Sequence, residues 1–160
     1  MSAQLVCDSP LGPLTLTAAG GALLDISFGR QCREETETGG QEALLHRAAA
    51  ELAEYFAGER RAFDLPLAPA GTAFQQQVWR VLCAIPYGTT CSYGAVARAV
   101  GRPGASRAVG GANHQNPIPI LIPCHRVIGA DGSLTGYGGG LEIKEKLLAL
   151  ERHFAAGGKR

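Results

Sequence analysis

One cysteine stands in the company that an activated sulfur nucleophile requires. Cys124 follows Pro123 at the end of the apolar run 118–122 and precedes His125 and Arg126. A thiol reacts as its anion, and neighbouring cations or a base pull its pKa below the ordinary value of about 8.5. Pairing Cys with His is the usual way to achieve this. On an extended backbone, consecutive side chains point to opposite faces. The imidazole then reaches the sulfur more easily through a bridging water than directly. Free cysteine is also among the most buried residue types, so these four residues alone leave an inert core thiol equally open.

The chain that must position this thiol has 160 residues, enough for one domain or two small ones. With 46% hydrophobic and 18% charged residues it reads as a folded globular protein rather than a disordered one. No apolar run approaches the ~20 residues that span a bilayer. Met1 to Cys7 lacks the basic-then-apolar pattern of a secretory signal. Cys7, Cys32, Cys83, Cys91 and Cys124 are odd in number and contain no CxxC, which argues against a disulfide framework. The expected location is cytoplasmic, or nuclear in a eukaryotic host.

Charge is unevenly spread. Residues 1–64 hold five basic and ten acidic side chains, whereas residues 65–130 hold Arg80, Arg98, Arg102, Arg107 and Arg126 and no carboxylate at all. Such a field attracts polyanions, although a compact glycine-rich segment can also simply use few charges.

The elements predict an α+β chain with a boundary near residue 68. In residues 1–68, strands at 4–7, 14–17 and 22–28 are separated by Ser9-Pro10-Leu11-Gly12-Pro13 and Gly20-Gly21, with Leu24, Ile26 and Phe28 on one face of the third. A helix over 41–57 places Leu44, Leu45, Ala48, Leu52, Tyr55 and Phe56 at helical spacing and stops at Gly58. Pro66 and Pro69 mark 63–70 as an extended linker. Residues 69–160 read as mostly helical. Thr72 and Gln75 form a capping box that opens a helix to about Ala84, with Phe74, Val78, Val81 or Leu82, and Ile85 inward and Trp79 beside them. Ser92 caps a second helix to about Val100, and a third is expected over 104–114. Helix, short turn, helix is the outline of a helix-turn-helix. Residues 118–122 read as one buried extended segment, and a last helix over 141–154 should turn Leu147, Leu148, Leu150 and Phe154 inward.

The third helix is built of small residues, and only Arg107 projects a long side chain from its first turns. A major-groove reader normally presents several such side chains. Each helical glycine costs about 1 kcal/mol relative to alanine, so Gly110 and Gly111 call for a close neighbour, either DNA backbone or another helix.

Beyond these readings, Asn116-Pro-Ile-Pro-Ile-Leu-Ile-Pro-Cys124-His-Arg-Val-Ile resembles the active-site signature of the alkylguanine-DNA alkyltransferases, the methylated-DNA–protein-cysteine methyltransferases. Ile85-Pro-Tyr-Gly-Thr-Thr-Cys-Ser-Tyr93-Gly, Ser106-Arg-Ala-Val-Gly-Gly-Ala112, Leu134-Thr-Gly-Tyr137-Gly-Gly and Ile143-Lys-Glu-Lys-Leu-Leu-Ala-Leu-Glu151 resemble family segments in order and spacing. The resemblance is strong from Phe74 to Glu151. Over residues 1–65 it is architectural, to a ribonuclease-H-like domain, and it implies a winged-helix-like C-terminal domain.

The resemblance implies a role for each matching residue. Cys124 is the acceptor thiolate for an alkyl group from guanine O6, and with it O4-alkylthymine is implied as a further substrate. His125 is the base acting through water, and Glu151 orients and charges it, the third-group logic of a triad. Asn116 is a hinge between recognition helix and active-site segment. Tyr93 assists guanine departure and crowds the neighbouring phosphate. Arg107 fills the stack left by the extruded base, with Gly94, Arg102, Ala105, Ser106 and Gly110 sharing the DNA-binding surface. Tyr137, Gly138, Val127 and Lys144 line the base pocket.

The implied partner is double-stranded DNA carrying alkylated guanine, engaged by a monomer, with no membrane and no cofactor. Some members hold zinc with Cys and His ligands, but His46 is the only histidine in residues 1–64, so no metal is expected. The rivals are a thiol hydrolase on Cys124, His125 and Glu151, which would turn over, a non-enzymatic lesion binder, whose kind replaces the acceptor cysteine, and a helix-turn-helix regulator, which would need base-reading side chains.

Overall fold

The structure, a computed structural model, describes residues 2–30, 40–134 and 140–158. It divides into two compact units, one running to Ala70 and the other beginning at Gly71.

In the first unit, β1 (Ala3–Cys7), β2 (Leu14–Ala19) and β3 (Ala22–Phe28) form an antiparallel sheet in the order β1-β2-β3. The β2–β3 turn is Gly20-Gly21 with φ 60° and 81°, the positive values a two-residue type I′ hairpin demands at both positions. The period-two expectation for β3 fails in its middle. Thr17 pairs with Asp25 but Ala18 pairs with Leu23, so Leu24 bulges out of register. That extra residue reverses the alternation, and Leu23 and Ile26 become the buried pair while Leu24 is half-exposed. Leu23 also bonds through its main chain to Pro66 and Ala68, so the proline-rich segment is docked beside β3. Helix α1 (Glu42–Phe56) packs on the sheet through Leu45, Ala48, Leu52 and Tyr55.

The second unit opens with α2 (Ala73–Cys83). Its capping box is reciprocal: Gln75 N donates to Thr72 Oγ1 at 3.1 Å and Thr72 N to Gln75 Oε1 at 2.9 Å. Val78, Trp79 and Leu82 are buried in the helix, and Ile85 just beyond its end, while Phe74 is only half-buried. Two-residue β4 (Cys91–Ser92) runs parallel to β5 (Val127–Ile128), a pairing the sequence pattern did not announce. Helix α3 (Tyr93–Ala99) is capped by Ser92 Oγ, which accepts from Ala95 N at 3.1 Å. Helix α4 (Ser106–His114) packs on α2 and α3, and Trp79 Nε1 donates to the Ala112 carbonyl at 2.9 Å.

Helix α5 (Leu141–Ala155) departs from expectation on its inner face. Its buried stripe is Lys144, Leu147, Leu148 and Glu151, a regular i, i+3, i+4, i+7 series with a charge at each end. Leu150 and Phe154, expected inward, are half-buried. The helix is thus rotated toward the site by two polar anchors.

Gly88, after the break at Pro86-Tyr87, has φ 76°, and a Cβ on it would stand 2.7 Å from Ala155 Cβ on α5. Gly132 has φ 85° with nothing within 4 Å. Gly88→Ala should therefore lower stability by about 1–3 kcal/mol, and by more than Gly132→Ala, which carries only the backbone strain. Thermal unfolding of the two variants checks this, and equal midpoints would refute the packing argument.

Candidate active site

The segment that delivers the thiol is not extended. Asn116 opens it by accepting from Ile118 N at 3.0 Å and donating Nδ2 to the Ile122 carbonyl at 2.8 Å. Ile122 N returns to the Ile118 carbonyl at 3.0 Å. The loop therefore folds back on itself, with Ile118, Ile120, Leu121 and Ile122 all buried. Ile120 sits at φ 75°, which is unfavourable for a β-branched residue and costs about 1–3 kcal/mol. Burial of its side chain and the Asn116 brace hold it there.

Pro123, at φ −79° and ψ 64°, centres an inverse γ-turn in which Cys124 N donates to the Ile122 carbonyl at 2.7 Å. The chain then makes one 3-10 turn, Cys124–Arg126, rather than the extended stretch assumed for the motif. Cys124, His125 and Arg126 consequently fan out from a single turn, and all three are buried.

Their partners come from α5 and from the end of α2. His125 Nε2 lies 2.6 Å from Glu151 Oε2, with both side chains essentially inaccessible. Arg126 reaches the same carboxylate side-on, Nε to Oε1 at 2.8 Å and Nη2 to Oε2 at 3.0 Å, and its Nη1 donates to the Ile85 carbonyl at 2.7 Å. Gly88 N adds a further bond to Glu151 Oε1 at 3.2 Å. Lys144, fully buried, donates Nζ to the Val127 carbonyl at 2.5 Å and stands 5.8 Å from the Tyr93 ring centroid. Asn113 Nδ2 donates to the Cys124 carbonyl at 3.2 Å, so the end of α4 is bonded directly to the thiol's backbone.

Burial is the main force on the imidazole, pulling the His125 pKa below 6.5; Glu151 pulls the other way, and Arg126 and Lys144 reinforce the lowering. Burial likewise lowers Lys144 while the Cys124 sulfur opposes it. His125 is therefore neutral near pH 7. Its Nδ1 is buried and has no hydrogen-bond partner among the described residues.

The sequence-nominated residues thus fall into groups. Cys124, His125, Glu151, Lys144 and Val127 meet in one cluster, Tyr93 stands beside it, and Asn116 fastens the loop that carries the cysteine. Ala105 and Ser106 start α4, half-buried, while Arg102 and Arg107 are exposed. Arg102 lies 5.3 Å from the Phe74 ring centroid. A Cβ on Gly110 would touch the Tyr93 ring at 3.9 Å, one on Gly94 would meet Arg98 at 3.6 Å, and one on Gly111 would meet nothing within 4 Å. Tyr137, Gly138 and Cys32 lie outside the described residues. Of the five arginines in the carboxylate-free stretch 65–130, Arg126 is buried in the ion cluster, and Arg80, Arg98, Arg102 and Arg107 face solvent. Asn113 was missed as well; nothing distinguishes it in sequence from other polar residues near a helix end. A cavity of about 370 Å³ lies against Glu151 and is walled by Gly88, Thr90, Ile128, Leu134 and Arg152; Cys124 does not line it.

Two family models cover most of the chain. The 6-O-methylguanine DNA methyltransferase ribonuclease-like domain matches residues 5–69, and the DNA binding domain of the same family matches residues 73–153. This chain belongs to the 6-O-methylguanine DNA methyltransferase family. The methylated-DNA–protein-cysteine methyltransferase of Mycolicibacterium paratuberculosis is 52% identical over 91% of the chain and 89% of its own length. That of Methanosarcina acetivorans is 49% identical over 91% of the chain and 96% of its length. Among solved structures of this methyltransferase family, Mycobacterium tuberculosis OGT in complex with DNA superposes with a TM-score of 0.83 at 47% identity, covering 93% of this chain and 92% of that one. No described helix is long and apolar enough to cross a membrane.

The lowered pKa of His125 links the site to stability. The unfolded chain binds a proton near pH 6.5 that the native site refuses, so stability is lost as pH falls from that value through the lower native pKa. The unfolding midpoint should drop between pH 7 and pH 5, and less so in His125→Gln. Identical pH slopes for the two proteins would contradict the assignment.

Proposed function

We propose that this chain repairs alkylated DNA by moving the alkyl group onto Cys124. The carrying observation is a buried cysteine whose neighbouring imidazole is held by a carboxylate at Nε2 while its buried Nδ1 makes no bond to any described protein group. A neutral imidazole so placed takes the thiol proton through one water, and the Lys144 ammonium favours the resulting thiolate. The thiolate attacks the alkyl carbon on guanine O6. A carbon–sulfur bond forms as the carbon–oxygen bond breaks, and the base departs with the electron pair, aided by a proton or hydrogen bond from Tyr93. Water does not cleave the thioether, so each molecule acts once. The same attack serves O4-alkylthymine.

The substrate is double-stranded DNA, bound by a monomer. Helix α4 suits the minor groove: its outer face carries Gly111 in open space and, in its first turn, the exposed Arg107. Extruding a base costs a few kcal/mol of stacking and pairing, and a planar guanidinium in the vacated stack offsets part of it. Tyr93, Gly94, Arg102, Ala105, Ser106 and Gly110 complete the surface, Tyr137, Gly138 and Val127 the pocket.

Intact mass spectrometry after mixing with an O6-methylguanine oligonucleotide should show one added methyl per protein, on Cys124, and none on Cys124→Ala. Turnover, or a label on another cysteine, would instead indicate a hydrolase or a different acceptor. Arg107→Ala should slow repair of duplex by roughly ten-fold or more while leaving reaction with the free alkylated base unchanged. Equal losses on both substrates would remove the intercalating role.

A further inference from the structure

We infer that Arg126 is the positioning residue that keeps Glu151 ionised and thereby sets which nitrogen of His125 carries the proton. The inference rests on the reading of His125 as the base for Cys124.

The argument turns on what Glu151 would be without its guanidinium. Its carboxylate is wholly inaccessible, and a buried carboxyl without a cation takes up a proton. Among the described residues, the charged and titratable groups near it include His125, Arg126 and Cys124 on the 3-10 turn, Lys144 on its own helix, Glu145 and Arg152 on the wall of the cavity it lines, and Cys83 on α2 near Arg126. Among the described residues, Arg126 is the cation that bonds to it with one nitrogen on each carboxylate oxygen. Lys144 bonds to the Val127 carbonyl.

The ionisation state then fixes the tautomer. An ionised Glu151 can only accept, so at 2.6 Å His125 Nε2 must donate, and Nδ1 is left with its lone pair. A protonated Glu151 would donate to Nε2, the proton would sit on Nδ1, and that nitrogen could no longer accept from the thiol. One buried cation two positions beyond the cysteine thus decides whether the imidazole is a base. The third contact, Nη1 to the Ile85 carbonyl, fixes the guanidinium to the end of α2 and so prevents it from following the carboxylate.

The test compares Arg126→Met, Arg126→Lys, Glu151→Gln and the unaltered protein. Nitrogen-15 NMR of the imidazole at pH 7.5 reports the tautomer without any DNA, and single-turnover methyl transfer reports the rate. The unaltered protein should show the Nε2–H form. Arg126→Met should convert it to Nδ1–H and slow transfer on the order of 10²-fold, the size of a general-base contribution. Arg126→Lys, which restores charge but not the two-pronged contact, should recover the Nε2–H form and part of the rate. An Nε2–H imidazole in a folded Arg126→Met protein would overturn the inference. If Arg126→Met does not fold, the neutral Arg126→Gln takes its place, an Nδ1–H imidazole there supporting the inference and an Nε2–H imidazole overturning it. Absence of methyl transfer by the unaltered protein with the tautomers behaving as described would sink the repair reading and leave the role of Arg126 standing.

Discussion

At the centre of the second unit a single carboxylate carries four hydrogen bonds from described residues. Glu151 accepts from His125, twice from Arg126, and from the backbone of Gly88. Those donors come from the 3-10 turn and from the loop after α2, so one side chain on α5 ties three parts of the chain together. Removing a partner from such a buried pair typically costs 3–5 kcal/mol, because the charge left behind has neither water nor a counter-ion. The group that orients the imidazole is therefore also a structural rivet. This explains why α5 presents Lys144 and Glu151 rather than a wholly apolar stripe to the core.

The cysteine's own backbone is constrained from the other side. Asn116 closes the loop, Ile120 is held at a positive φ, Pro123 makes a γ-turn, and Asn113 grips the Cys124 carbonyl. Backbone strain of this kind persists only where surrounding contacts over-determine it. Here they do, through four buried aliphatic side chains in residues 118–122. Because Asn113 and Asn116 lie at the end of α4 and just past it, the helix with the glycine face and the thiol are mechanically continuous.

What the sequence disclosed follows from how local each signal is. The Thr72 capping box, the Ser92 cap and the Gly20-Gly21 hairpin depend on residues two to four apart, and each formed as read. The period-two reading of β3 failed at Leu24 because a bulge depends on the partner strand. The apolar run 118–122 was read as extended because hydrophobicity does not distinguish a buried strand from a buried turn; the long-range-looking Asn116-to-Ile122 bond decides it. Hydrophobic periodicity placed Leu150 and Phe154 inward on α5, since it has no means of counting Lys144 and Glu151 as core. Arg126 looked like one more surface cation for the same reason: a charge is legible in sequence, but its burial depends on a counter-charge twenty-five residues away.

The contact between Arg126 and the Ile85 carbonyl couples two events that need not have been coupled. A carbonyl just past the end of α2 accepts from a side chain of the turn that carries Cys124, so the segment leaving that helix and the surroundings of the thiol share a bond. On the proposed reading, a chain in which that bond had not formed would expose its cysteine without the buried partners that activate it, and would spare a single-use reagent from stray electrophiles.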